Sequence, residues 1–183
     1  MPMDRRHALL ERASAQNMII VEDDYEFEMS FLNAPSPALK SLDKEGRVIY
    51  IGSFSKSLFP GLRLGYLVAS QPLIRQARAL RSTVLRHPPG HMQRTTANFL
   101  ALGHYDAVVR RMKDAYFERR QVMAKALSEN GLTVAGSASF GGSSFWMSAP
   151  DHVDTQNLAA KLKEKGVLIE PGAPFFEGHD GPK

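Results

Sequence analysis

Apolar side chains recur along this chain with two different rhythms. From Asp4 to about Gln16, Leu9, Leu10 and Ala13 keep the three-and-four spacing of one helix face, and Asp4 is placed to cap it. Asn17 ends that helix. Met18 to Val21 is a short unbroken apolar run, read as a strand, and Glu22-Asp23-Asp24-Tyr25 follows at once. Phe27 to Lys44, broken by Asn33, Pro35, Ser36 and Pro37, reads as an irregular loop. Val48 to Ile51 is a β-branched apolar run that predicts a buried strand stopping at Gly52. After Ser53-Phe54-Ser55-Lys56 and the Pro60-Gly61 break, Leu64 to Ala69 predicts a second core strand. Pro72 opens a helix to about Leu85, with Leu73, Ile74, Ala77 and Leu80 on one face and arginines on the other.

His87-Pro88-Pro89-Gly90-His91 interrupts, and Met92 to Leu102 is helical again. Tyr105 to Glu129 is the longest helical stretch, long enough to join two domains, and Asn130-Gly131 stops it. The pattern then changes. Leu132 to Ala135 and Ser144 to Ser148 read as strands around a Gly/Ser loop. Asp154 caps a helix over Leu158, Ala159 and Leu162 to Lys165, which Gly166 closes. Val167 to Ile169 reads as a short strand before Pro171-Gly172 and a final loop. These residues predict a small α+β unit with Trp146 in its core. The strand-helix order of the first part predicts an α/β layout.

Composition narrows the picture little. The chain has 183 residues, 43% hydrophobic and 23% charged, which is ordinary for a globular protein. No run is long enough to span a bilayer and no signal-peptide pattern opens the chain. The absence of cysteine excludes disulfides and thiolate metal sites and fits a cytoplasmic location. The charge of +4 is spread over arginines on helices, without a nucleic-acid recognition motif. His87 and His91 are not a helical zinc pair, because Pro88-Pro89-Gly90 between them forbids a helix.

Chemistry concentrates at the ends of the two buried strands. Lys56 stands with Ser53, Ser55 and Arg63 in one short connection. Low-dielectric surroundings disfavour an ammonium, and a neutral lysine amine condenses with an aldehyde. Small hydroxyls and a guanidinium fork suit a phosphate. A lysine for an aldehyde and Ser/Arg for a phosphate together describe a site for pyridoxal 5′-phosphate; a solvated lysine in a Ser-rich loop is the plainer alternative. The carboxylates Glu22, Asp23 and Asp24 need a positive partner, which a protonated pyridine nitrogen supplies. An acid-rich turn or a magnesium site is the alternative there. GSFSKS is not a nucleotide-binding P-loop, because Ser55 stands where GxxxxGK(S/T) requires glycine.

With both stretches read, the chain resembles the fold-type I pyridoxal-phosphate enzymes, the aspartate-aminotransferase-like superfamily. The motifs that carry the likeness are IIVEDDY (19–25), SFSKSLFPGLRLGY (53–66) and GVLIEPGAPFF (166–176). Within it the chain is most similar to aminoadipate/kynurenine-type aminotransferases and to the aminotransferase-like domains of MocR-type GntR-family regulators, and the EDDYEFE wording leans to the latter. The resemblance implies that Lys56 forms the internal aldimine and acts as general base. It implies that Asp23 pairs with the pyridinium nitrogen, Asp24 being the competing assignment, and that Tyr25 bonds the ring's phenolic oxygen. Ser53, Ser55 and Arg63 would hold the phosphate. No metal is implied.

The implied fold is α/β: the C-terminal half of a large domain with a mixed, mostly parallel sheet, then a long connecting helix and a small α+β domain. The expected boundaries are 1–104, 105–129 and 130–183. An Asn/Ser-Pro-Thr-Gly-like motif, an upstream glycine-rich turn, a ring-stacking aromatic and a C-terminal substrate-binding arginine are not found, so the expectation is a partial chain with little or no transaminase activity alone. The implied function is amino transfer from an amino acid to a 2-oxo acid through Lys56. The alternative is the effector-binding domain of a GntR/MocR-type regulator. A cytoplasmic homodimer is implied, with DNA bound only through a domain absent from this chain.

Overall fold

The structure is a computed structural model that describes residues 1–24, 28, 30, 37–135, 142–150 and 152–176. Its elements run α1 (Met3–Ala15), β1 (Ile20–Asp23), α2 (Leu39–Leu42), β2 (Val48–Ser53), a 3-10 turn (Pro60–Leu62), β3 (Gly65–Val68), α3 (Gln71–Val84), α4 (Gly90–Ala101), α5 (His104–Glu129), β4 (Thr133–Val134), β5 (Met147–Ser148), α6 (Thr155–Glu164) and a second 3-10 turn (Ala173–Phe175). They form two compact units, Met1–Phe117 and Glu118–Lys183.

In the first unit β1, β2 and β3 make one sheet in that order. β1 and β2 are parallel, with Ile20 opposite Val48 and Asp23 opposite Ile51. β2 and β3 are antiparallel, with Gly52 opposite Tyr66 and Ser53 opposite Gly65. The sheet is mixed, as expected, but with one parallel and one antiparallel pair among the described residues it is not mostly parallel. α2 packs on β2 and α1 on α2. Ala13, Leu39 and Val48 are buried, Val48 completely. β2 does not stop at Gly52, since the ladder to β3 carries it to Ser53.

Several expectations fail for identifiable reasons. Asp4 does not cap α1: Pro2 is the N-cap, without a side-chain cap bond, and Asp4 sits in the first turn, where a carboxylate favours the helix dipole. The loop over 27–44 contains α2, whose first N–H groups find an acceptor in a distant carboxylate rather than a local cap. β3 is not a core strand; Tyr66, Leu67 and Val68 are all exposed, because β3 is an edge strand of this sheet.

In the second unit β4 and β5 pair as a two-residue antiparallel ladder, shorter than the strands expected over 132–135 and 144–148. Val167–Ile169 forms no strand: no neighbour offers it a ladder among the described residues, and apolar composition alone does not make one. Trp146 is 43% exposed rather than enclosed, although it is the hub of a small aromatic cluster with Phe175 and Phe176 at centroid distances of 5.4 and 5.9 Å. The stop signals hold. Gly131 takes φ +66° after α5, and the Leu132 N–H donates to the Leu127 C=O at 2.9 Å. Asp154 caps α6 through Oδ1, which accepts from the Gln156 and Asn157 N–H groups.

Candidate functional site

Parallel pairing sets the C-terminal ends of β1 and β2 side by side. The Asp24 N–H prolongs the ladder by donating to the Ile51 C=O at 3.0 Å. β2 ends at Ser53, where β3 begins opposite it with Gly65. The Phe54 N–H donates to the Leu64 C=O at 3.1 Å, which draws Arg63 back to the end of β2. One end of the sheet therefore gathers Asp23, Ser53, Ser55, Lys56 and Arg63. Strand alternation sorts the acids: Asp23 shares a face with Ile51 and Ser53, and Glu22 lies on the face of Tyr50 and Gly52.

Asp23, Lys56 and Arg63 are exposed, and none has an ion-pair partner among the described residues. The Ser55 N–H donates to Ser53 Oγ at 3.1 Å, folding the two serines together. Arg63 closes the 3-10 turn Pro60–Leu62 in the left-handed region, at φ +49°. The low-dielectric surroundings expected for Lys56 are not supplied by the described residues, since its side chain reaches solvent. Tyr25 lies outside the described residues.

The acidic stretch divides by role. Glu22 accepts from the N–H groups of Leu39 (2.7 Å) and Lys40 (2.9 Å), so it serves as the missing cap of α2, with Arg6 at 4.0 Å. Asp24 accepts from the Tyr50 hydroxyl at 3.2 Å. Burial pushes the Asp24 carboxyl above its ordinary range, and the Tyr50 bond partly offsets this. Among the described residues no group of three such side chains is placed to hold a metal ion.

Sequence reasoning missed an aromatic layer. Tyr66 lies across Gly52, and a Cβ there would run into its ring. Tyr66 contacts Tyr50 and Phe54 (centroids 6.1 and 5.4 Å), and Phe54 meets Tyr105 edge-on at 5.9 Å. Phe54, Tyr66 and Tyr105 wall an open cavity of about 610 Å³, whose charged lining is Glu28, Asp106 and Lys113. The only sequence signal was the pair of glycines at 52 and 65, which marks a close approach between strands.

The profile of the family "Aminotransferase class I and II" matches residues 2–180. The chain belongs to that family. It is 64% identical over 177 residues to the HTH-type transcriptional regulator TauR of Rhodobacter capsulatus, covering 97% of this chain and 37% of the regulator. It is 35% identical over 179 residues to aromatic-amino-acid aminotransferase 1 of Thermococcus litoralis, covering 96% of this chain and 42% of that protein. The chain thus spans less than half the length of these curated relatives. Among solved structures, the kynurenine aminotransferase of Pyrococcus horikoshii, solved with PMP and kynurenine, superposes with a TM-score of 0.85 at 31% identity, over 96% of this chain and 44% of that one. LysN of Thermus thermophilus, an alpha-aminoadipate aminotransferase complexed with N-(5'-phosphopyridoxyl)-L-leucine, gives 0.86 at 30%, over 96% and 46%.

Aminotransferases of this family normally bind pyridoxal 5′-phosphate, and both of these structures carry derivatives of it. The donor set suits such a group. An accessible amine, two adjoining hydroxyls, a guanidinium and a separate carboxylate, none of the charged groups spent on a partner among the described residues, match an aldehyde, a phosphate and a ring nitrogen. No helix of the described residues is long and apolar enough to cross a membrane.

Proposed function

We propose that this chain is the pyridoxal-phosphate- and effector-binding part of a MocR-type GntR-family transcriptional regulator. The observation that carries the reading is the 64% identity to a regulator across nearly the whole chain, against 35% to an aminotransferase. When bound, the cofactor supplies a carbonyl that condenses with amines and a ring that withdraws electrons. Lys56 offers the amine at Nζ and carries the proton there. Ser53, Ser55 and Arg63 hold the phosphate, the guanidinium by its fork of donors. Asp23 faces the pyridine nitrogen, since Asp24 is engaged by Tyr50 on the other face of the sheet. Tyr25 bonds the ring oxygen.

On this reading an amine-bearing effector would compete with Lys56 for the bound cofactor, and that occupancy would bias a conformational equilibrium. Residues 1–104 belong to the cofactor-binding domain, 105–129 to a connecting helix and 130–183 to a small α+β domain. The protein acts in the cytoplasm as a homodimer, and DNA is bound by a segment outside this chain. The second reading is an enzyme that moves an amino group from an amino acid to a 2-oxo acid. The match to an aromatic-amino-acid aminotransferase favours it.

Titration with pyridoxal 5′-phosphate tests both. Condensation absorbance is expected in the wild type and absent in Lys56→Ala; equal absorbance in the two sinks the site. Keto-acid formation from amino donors is expected to stay at background. Robust, Lys56-dependent turnover would replace the regulator by the enzyme.

A further inference from the structure

Lys56 sits in a short turn closed by the Leu58 N–H donating to the Phe54 C=O at 2.9 Å. The next residue, Ser57, is 1% exposed. A buried hydroxyl is costly unless bonded. Its partner is the Tyr105 hydroxyl, 3.0 Å from Ser57 Oγ, and Tyr105 is also hydrogen-bonded to the Glu28 carboxylate. A phenol has one proton and a carboxylate only accepts. The phenolic proton therefore goes to Glu28, and the Ser57 hydroxyl donates to the phenolic oxygen.

The electrostatics agree with that order. Burial first, then the Glu28 bond, push the Tyr105 hydroxyl above its ordinary range, while the Ser57 bond pulls it down, as a proton given to that oxygen should. The Tyr105 ring also meets Phe54 edge-on. The residue that opens the turn and the residue that follows the lysine are thus both fastened to one side chain in the first turn of α5.

We infer that Glu28, Tyr105 and Ser57 are a positioning set that fixes the backbone under Lys56 and so aims its amine. The inference rests on the proposed condensation at Lys56 and deepens it. None of the three is assigned to the cofactor; they act through the lysine. A lysine side chain is long and conformationally free, so fixing its Cα limits how much order the ligand itself must impose.

The test uses the full chain as wild type, Tyr105→Phe, Ser57→Ala, the double variant and Glu28→Gln. Hydrogen–deuterium exchange at the Leu58 amide reads the turn without any ligand. Condensation absorbance reads the pyridoxal 5′-phosphate concentration at half-saturation and the pH midpoint of the band. Ser57→Ala is expected to speed Leu58 exchange and raise half-saturation by about two- to tenfold, the worth of one hydrogen bond, and Tyr105→Phe, which removes the Glu28 bond as well, by at least as much. Both should move the pH midpoint in the same direction, which loss of general stability would not do. The double variant should be no worse than Tyr105→Phe alone, because the Ser57–Tyr105 bond is already lost in that variant. Glu28→Gln keeps an oxygen acceptor and should stay within about twofold of wild type.

Unchanged Leu58 exchange in both single variants, or additive losses in the double variant, would overturn the inference whatever the ligand does. Faster exchange with unchanged half-saturation and pH midpoint would overturn it too. A wild type without Lys56-dependent absorbance removes the functional reading instead, and the exchange data still decide whether the set holds the turn.

Discussion

The Asp43 carboxylate accepts from the N–H groups of Glu45, Arg47 and Val48 and from the Lys40 ammonium. It ties the end of α2 to the first residue of β2, and its side chain is only 2% exposed. Burial pushes this carboxyl up, but the bonds from Val48, Lys40 and Arg47 outweigh it and hold it down to about 2. A carboxyl whose folded pKa is depressed contributes stability above its ordinary value of 3.8 and loses it as pH falls toward 2. The shift corresponds to about 2 kcal/mol. Urea unfolding of Asp43→Ala should show a loss of that size at pH 7, and the gap to wild type should close as the pH approaches 2. A constant gap across that range would refute the assignment. At this scale the sequence exposed the residues that stand at strand ends: Lys56, Ser53, Arg63 and Asp23 are polar where apolar runs stop. It did not separate Glu22 from its acidic neighbours, because the N–H groups it caps lie beyond an irregular loop. Ser57, Tyr105 and Glu28 were illegible for the same reason, each looking ordinary until its distant partners are known.

Between β2 and β3 the backbones approach closely. A Cβ on Gly65 would stand 2.8 Å from the Gly52 carbonyl oxygen, and a backbone oxygen in a ladder does not step aside. Gly65→Ala should therefore cost about 1–3 kcal/mol, as overpacking does. Gly90, at the start of α4, has nothing within 4 Å of the same position, and Gly90→Ala should stay within about 0.5 kcal/mol of wild type. Thermal unfolding of the two variants compares them directly; equal effects would mean that the close approach does not matter. Apart from the four-residue α2, whose residues read as loop, helices were legible to within a residue or two because periodicity and stop signals agree over many positions. Short strands were legible in place for β1, β2 and β3, but not always in extent or burial. Val167–Ile169 has the composition of a strand but lacks a neighbour among the described residues, and the second apolar run makes an exposed edge, since pairing depends on chain that lies elsewhere.

For the molecule as a whole, the described core is uneven. Ala13, Leu39, Val48 and Leu62 are buried in the first unit, and Leu127 alone among the described residues of the second. Trp146, the single tryptophan of the chain, belongs to the second unit. Its fluorescence should change at a lower denaturant concentration than the far-ultraviolet dichroism, which reports mainly the first unit's helices and sheet. Coincident transitions would show one cooperative body instead. The family and the α/β plan were visible in two motifs, and superposition on relatives of 30–31% identity agrees with them. The parallel pairing of β1 with β2 has a consequence for assembly. Antiparallel neighbours meet through a tight hairpin, but parallel ones need a crossover. Asp23 and Lys56 therefore stay apart until everything from Asp24 to Arg47 has found its path, and loop closure of that kind is slow and late. A nascent or damaged chain would keep its helices well before it acquired an acid and an amine at the same sheet end. Ligand binding would then report completed folding as much as it reports affinity.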